Sequence, residues 1–417
     1  MHTAPRGIFY GWLIVVIAMT IIALGVGLMF SLGVFMEPLE QAFHWKRGEI
    51  SQASLCAWVA FGLGSFLFGL LSDRYGTRVV VLTGGLLLGC GMLALSRMHS
   101  LWHLYLFYGL LVGGGTGAFM VPLTSTVMCW FTHKRALMVA LTNCGTGIGG
   151  TLFAPLTRYL VLSFDWRDAF FIYGVLVWVV VLPLAVLIRN HPEDIGLQPY
   201  GGTLAALSTP SPTYAFGDVL AMPALWVIAT VHLLCCAAHS GPIFHMVSSA
   251  IDTGVDTLGA ATIFAYASLA SIAGRLGTGV LADRYGSKPI LVTWLGMQAT
   301  AITLYFFASE TSSLTLVALY FGVSYGGVMP LYAVVTREFF GARAMGASYG
   351  AVFLLSCFGM GVGAWLGGLL FDSAGTYDSM YKCSALFAAT GAFLALWLRP
   401  PLQVRPVMLG TRVMGTS

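Results

Sequence analysis

Long apolar runs alternate with short polar breaks along the whole chain, and about twelve runs can be separated. Breaking them at charges and turn residues predicts helical spans over residues 12–36, 49–73, 79–97, 101–130, 135–160, 168–189, 222–250, 257–283, 289–308, 313–337, 344–371 and 378–399. An apolar run of roughly 18 residues or more with few charges is long enough to cross a bilayer as a helix. Glycine recurs inside the runs, as expected where helices pack closely in lipid without a hydrophobic drive between them. The longest polar stretch, 190–218, carries Pro192, Pro199, Pro210 and Pro212 at the middle of the chain and predicts a linker. The expected division is a six-helix bundle over 1–189, the linker, a second six-helix bundle over 219–399 and a tail over 400–417. The fold class is an all-α integral membrane protein of two pseudo-symmetric bundles.

Composition narrows the choice of solvent. Apolar residues make up 58% and charged residues 9% of the chain, with a mean hydropathy of +0.85. A soluble domain carries about 25% charged residues, so this chain cannot coat a water-facing surface of its size. The net charge of +4 does not point to nucleic acid, because the basic residues sit in short clusters between runs. With the N-terminus in the cytoplasm, 13 Lys and Arg fall on the inner side and 6 on the outer, so both termini are expected inside. The one basic residue left over is Arg275. Residues 12–36 run on without a small-residue cleavage site, which predicts a retained first span. The eight cysteines lie in or beside apolar runs without a CxxC pair, so they read as small apolar fillers; neither a metal nor a cofactor is expected.

The two halves repeat. GLLSDRYGTR at 69–78 returns as GVLADRYGSK at 279–288, and Pro122-Leu123 returns as Pro330-Leu331. Parallel repeats of this kind build carriers whose halves enclose a midplane site. Gly76 and Gly286 allow the sharp turns, while Asp73 and Asp283 can pair with Arg74 or Arg78 and with Arg284 or Lys288, or cap the next helix. These two segments resemble the loop signature of the major facilitator superfamily. That resemblance implies that Asp73, Arg74, Arg78, Asp283 and Arg284 latch the inner end of the bundle and do not touch substrate.

Three further segments narrow the resemblance. They are Tyr10-Gly11-Trp12, the stretch from Trp130 to Leu137 leading into the glycine-spaced fifth span, and Pro192 to Gly201. Together they are similar to the monocarboxylate transporter family, including bacterial relatives of the oxalate–formate exchanger type. The resemblance implies a carrier in a bacterial inner membrane, expected to work as a monomer, with a small monocarboxylate and a proton as its partners.

Arg275 carries the chemistry. It lies eight residues before Asp283, so roughly 12 Å of helix separates it from the loop. A guanidinium stays charged, and an unpaired charge at that depth costs several kcal/mol. No Asp or Glu lies in the middle of a predicted span, so the partner is either a visiting carboxylate bound bidentately, or else backbone carbonyls or a loop acid. The family too carries an arginine here, as its carboxylate ligand. Where mammalian members have an acid one turn earlier, this chain has Ser271; Phe30 stands at their first-span lysine, and Ser356 at the second cation of oxalate exchangers. One fixed charge suits a monoanion better than a dianion. L-lactate and pyruvate-like acids are therefore expected over oxalate.

Further cavity candidates are Ser271, one turn from Arg275, Asn143, Tyr332, Ser356 and Cys357, with Leu28 and Phe119 as an apolar wall. For Asn143 a helix–helix hydrogen bond is an equal alternative. Proton coupling is expected from Asp252 and His245, whose surroundings resemble the family's seventh span, with Asp256 next. His232 and His239 share a face, which packing explains as well. The reading is a proton-coupled symporter working by alternating access. Its rivals are an oxalate–formate-type exchanger, which needs a second cation, and a drug or sugar facilitator. A membrane enzyme lacks any catalytic motif in this sequence, with no HExxH, GxSxG or phosphate loop.

Overall fold

A chain in lipid must satisfy its own backbone N–H and C=O groups, and helices do this within each segment. The computed structural model describes residues 9–131, 135–201, 214, 216–340 and 345–399. Twelve of its helices are long and apolar enough to cross a membrane. In the first half they are α1 Tyr10–Phe43, α2 Arg47–Ser72, α3 Thr77–Leu95, α4 Leu101–Trp130, α5 Leu137–Ser163 and α6 Trp166–Leu187. In the second they are α7 Pro223–Asp252, α8 Thr257–Ala282, α9 Ser287–Phe307, α10 Thr311–Phe340, α11 Ser348–Ala374 and α12 Asp378–Leu396. Among the described residues the one non-helical pairing is an isolated parallel bridge between Phe131 and Tyr200.

The observed spans follow the predicted ones within a few residues, with one exception. Charge predicts an end to the first span at residue 36, yet α1 continues through Glu37 and Glu40 to Phe43. The reason is that both carboxylates meet arginines from other helices. Arg158 of α5 comes within 2.9 Å of Glu37, at an angle that makes an ion pair but no hydrogen bond, and Arg47 holds Glu40 at 3.0 Å. A paired charge does not have to leave the bundle.

The two D-R-Y-G loops define one end of the molecule, called here the loop end; the opposite end is the far end. Gly76 and Gly286 adopt nearly the same left-handed backbone, with φ of 83° and 86°, where any side chain would be strained. The side chains of Asp73 and Asp283 lie outside the described residues. Arg74 and Arg284 each lie over the tyrosine that follows, 5.3 Å from the ring centre. In the first loop the next helix is capped by Asn190, whose Oδ1 accepts from the Thr77 amide at 2.9 Å. Arg78 donates twice to the Ile188 carbonyl, at 3.2 and 3.1 Å. The Trp130 indole donates to the Arg189 carbonyl at 2.9 Å, and the Tyr200 amide to the Trp130 carbonyl at 2.9 Å. Residues 188–200 are therefore tied to the loop end of the first half.

The halves meet mainly through α2 against α11 and α5 against α8. Glycine makes the second contact close. A Cβ on Gly150 would fall 2.3 Å from the Ser268 hydroxyl, and one on Gly147 only 2.6 Å from Ile272. Small residues let helices approach this tightly, and dispersion then replaces the hydrophobic drive that lipid removes.

Candidate substrate site

Arg275 projects from the middle of α8, ten residues before Tyr285, which is roughly 15 Å of helix from the loop end. It is 6% exposed. Its Nη1 donates to the Ser271 hydroxyl, one turn back on the same face, and that hydroxyl donates on to the Ser268 carbonyl at 2.6 Å. The guanidinium carbon stands 5.6 Å from the ring centre of Tyr325 on α10. No carboxylate among the described residues lies within ion-pair distance of it, and no backbone carbonyl among them accepts from it.

The antiparallel register of α5 on α8 sets Gly150 at Ser268 and Gly147 at Ser271, which brings Asn143 level with Arg275. Asn143 is half-buried, and its amide nitrogen donates to the Val139 carbonyl of its own helix at 2.9 Å, leaving the amide oxygen without a partner among the described residues. Ser356 and Cys357 lie on α11 where it crosses α2, with Gly62 against Cys357 and the Ser356 hydroxyl on the Phe353 carbonyl at 2.7 Å. The other candidates sit elsewhere. Tyr332 is buried in the loop-end core of the second half, stacked at 3.7 Å on His232. Phe119 fills the space beside Gly25 and Gly84 inside the first half, and Leu28 is buried in the cluster that both halves share. Tyr332 and Phe119 are at suitable depth but face the packing of their own half.

Between Arg275 and the far end, four rings from four helices close on one another. Phe30 of α1 stands 6.2 Å from Trp58 of α2, 6.0 Å from Phe244 of α7 and 6.2 Å from Phe264 of α8. The position expected to differ from a lysine is thus part of an apolar partition between the halves.

Beyond that partition lies an ion network. Arg47, at the first turn of α2, is 8% exposed. It binds Asp252 of α7 with both terminal nitrogens, at 2.5 and 3.1 Å, and Glu40 with Nε at 3.0 Å. It also donates to the Tyr377 hydroxyl at 3.0 Å and lies 4.1 Å over the Phe371 ring. The neighbouring Gly48 amide donates to Asp372 at 2.8 Å. His245 extends the network: its Nε2 faces the Ala364 carbonyl at 2.8 Å and must donate, so its Nδ1 accepts from Tyr377 at 3.3 Å. Burial pushes the Tyr377 phenol up, although the Arg47 charge opposes the shift, so the hydroxyl keeps its proton. Asp256 stands apart. Its carboxylate accepts from the Gly259 amide at 2.9 Å and caps α8, which accounts for an acid at that position without a role in coupling.

Asp252 and His245 are therefore brought together, and Arg47, which sequence reasoning counted only as a loop charge, joins them. Its partners lie 7, 205 and 330 residues away, and only the first is near enough to suggest a pair from sequence. Every hydrogen bond between the halves among the described residues, at Arg47, Gly48, Ser51 and Thr151, lies on the far side of Arg275. In this arrangement the far end is closed.

Comparison with known proteins agrees with the fold. The bacterial homologue of the human lysosomal transporter Spinster, in an inward-facing and occupied conformation, superimposes with a TM-score of 0.74 at 14% identity, covering 95% of this chain and 97% of that one. Rat (Rattus norvegicus) monocarboxylate transporter 13 is 29% identical over 401 residues, 95% of this chain and 91% of that protein. Human (Homo sapiens) monocarboxylate transporter 2 is 24% identical over 417 residues, 95% of this chain and 87% of that one. An uncharacterised Escherichia coli (strain K12) transporter of the same superfamily is 23% identical over 316 residues, 73% and 74% of the two chains. These relatives are transporters rather than enzymes. Residues 12–364 match the Major Facilitator Superfamily, and the chain belongs to that family.

Proposed function

We propose that this protein carries small monocarboxylates, L-lactate first and pyruvate-like acids with it, across a bacterial inner membrane in symport with a proton. The observation that carries this reading is Arg275: a buried guanidinium with one nitrogen on Ser271 and no acid partner among the described residues. A carboxylate presents two oxygens to such a fork and forms short, charge-assisted hydrogen bonds. One cation at this depth balances one negative charge. A dicarboxylate would leave its second charge beside the aromatic partition of Phe30 and Trp58, which favours a monoanion over oxalate. Asn143, Ser271, Ser356 and Cys357 supply polar edges for the 2-oxygen of a hydroxy- or oxo-acid. The similarity to monocarboxylate transporters supports the same substrate class.

Both termini are placed in the cytoplasm, so the far end faces outward and the arrangement described here has its outer end closed. The halves 1–189 and 219–399 rock about Arg275, joined by the linker 190–218, and one chain suffices for transport. A proton arriving from outside meets Asp252 and His245. Protonating Asp252 removes the negative partner of Arg47 and loosens the outer closure. A bound carboxylate then shifts the balance only by the difference in its affinity for the two arrangements. The test is uptake of labelled L-lactate, pyruvate, oxalate and formate into proteoliposomes, with and without an inward proton gradient. Proton-stimulated lactate and pyruvate uptake that disappears in Arg275→Ala is expected. Gradient-independent counterflow of oxalate against formate would instead favour exchange.

A further inference from the structure

Helix α7 carries three buried histidines, and each one meets a tyrosine: His232 with Tyr332, His239 with Tyr325 and His245 with Tyr377. They differ in what is left for a proton. His245 has both nitrogens engaged, by the Ala364 carbonyl and the Tyr377 hydroxyl. His232 has neither engaged, but it stacks within the loop-end core two turns from His239, roughly 10 Å along the helix. His239 lies beside the substrate site. Its ring is 5.5 Å from the ring centre of Tyr325, the same ring that stands 5.6 Å from the Arg275 guanidinium.

The local hydrogen bonding leaves one nitrogen of His239 open. The Cys235 thiol is turned towards the Gln298 oxygen, at 3.4 Å, so its sulfur faces the His239 Nδ1 at 3.9 Å as a weak acceptor. Nδ1 then carries the hydrogen of the neutral ring. Nε2 has no hydrogen bond from any described residue. The titratable or charged groups brought to this stretch are Cys235, Cys236 and His232 on α7 itself, Arg275 from α8, Tyr325 and Tyr332 from α10, and Tyr349 and Cys357 from α11. Helix α9 contributes the neutral Gln298 and α12 the Ser384 hydroxyl near Gly241. No carboxylate is among them.

We propose that His239 holds the transported proton while the carboxylate occupies Arg275. The proposal rests on the reading of Arg275 as the carboxylate site. Asp252 and His245 meet the proton at the outer mouth; His239 is its place beside the substrate. With Arg275 unoccupied, an imidazolium at His239 and the guanidinium repel each other across Tyr325, over no more than about 11 Å. A bound carboxylate cancels that repulsion, so carboxylate and proton each bind better in the presence of the other. The linkage is reciprocal, and at an effective dielectric of about 20 it amounts to roughly tenfold in either affinity.

Calorimetric titration of the purified full-length protein with pyruvate tests this, run at about pH 7 in phosphate and in Tris, whose ionisation enthalpies differ. The heat difference between buffers counts protons taken up per pyruvate bound. The unmutated protein is expected to take up a fraction of a proton, at most about half for a tenfold linkage, while His239→Gln binds pyruvate with no buffer-dependent heat and a pH-independent affinity. In proteoliposomes the same variant should transport pyruvate without carrying a proton along with it, so that pyruvate uptake no longer acidifies the vesicle lumen. Proton uptake that persists unchanged in His239→Gln overturns the proposal. His239→Asn carries the same readout should Gln lower the melting temperature. Absence of pyruvate and lactate binding to the unmutated protein would overturn the substrate reading itself, a result distinct from losing only the proton count.

Discussion

Among the described residues Arg47, Arg158 and Arg275 are buried, and the first and the last differ most in their partners. Arg47 and Arg275 are almost equally buried, yet Arg47 is surrounded by two carboxylates, a phenol and an aromatic face, whereas Arg275 has one hydroxyl and one distant ring. A guanidinium cannot shed its charge, so the difference lies in what completes it. Arg47 is completed by protein from both halves and joins them. Arg275 has no acid partner among the described residues, which is why the proposed carboxylate is assigned to it.

The comparison breaks most sharply at Arg275. Arg275→Ala should lower lactate uptake by at least a hundredfold in proteoliposomes, about 2.7 kcal/mol or more of lost binding, with the melting temperature little changed. Arg275→Lys keeps the charge but loses the planar fork, and a loss of more than tenfold in apparent affinity is expected from the same assay. If Lys transports as well as Arg, the bidentate reading is wrong.

Arg47 should respond in the opposite manner, through stability. Arg47→Ala leaves Asp252 and Glu40 without their cation, and because water reaches both carboxylates the cost should be about 1–3 kcal/mol. A clear fall in melting temperature is the predicted readout, and the exchange Arg47→Asp with Asp252→Arg should recover part of it.

A smaller effect separates packing from charge. Gly150→Val places branched carbon against Ser268 where even a Cβ is too close, and it should hold α5 off α8. Uptake should fall about tenfold or more, by obstruction of closure costing roughly 1–3 kcal/mol, while carboxylate affinity measured by calorimetry stays within a factor of a few. The smallest change is at Asp256→Ala, which removes a helix cap worth about 1 kcal/mol and should leave the pH dependence of uptake alone.

Much of this was legible in the sequence. The twelve spans, the mirrored loops and the isolated Arg275 all follow from charges that stand out against apolar runs. What stayed hidden depends on distance along the chain. Nothing local marks Arg47 as buried, because Asp252 and Tyr377 reach it only after the halves dock. Glu37 and Glu40 misled for the same reason: a carboxylate ends a helix in lipid unless an arginine from elsewhere answers it. Tyr332 and Phe119 had the right depth but the wrong azimuth. Span periodicity gives the level of a residue in the bundle, while the direction it faces is decided by which neighbours its helix packs on.

The ties at residues 188–200 relocate a mechanical boundary. Composition ends the first half at Arg189, but the hydrogen bonds to Thr77, Arg78 and Trp130 make the next eleven residues a passenger of that half. A spin label on the exposed Glu193 would consequently report the motion of the first bundle, although it stands in what reads as connecting chain. On the proposed rocking of the halves, its distance to a label on the second bundle would change with each transport stroke, and its distance to α3 would not.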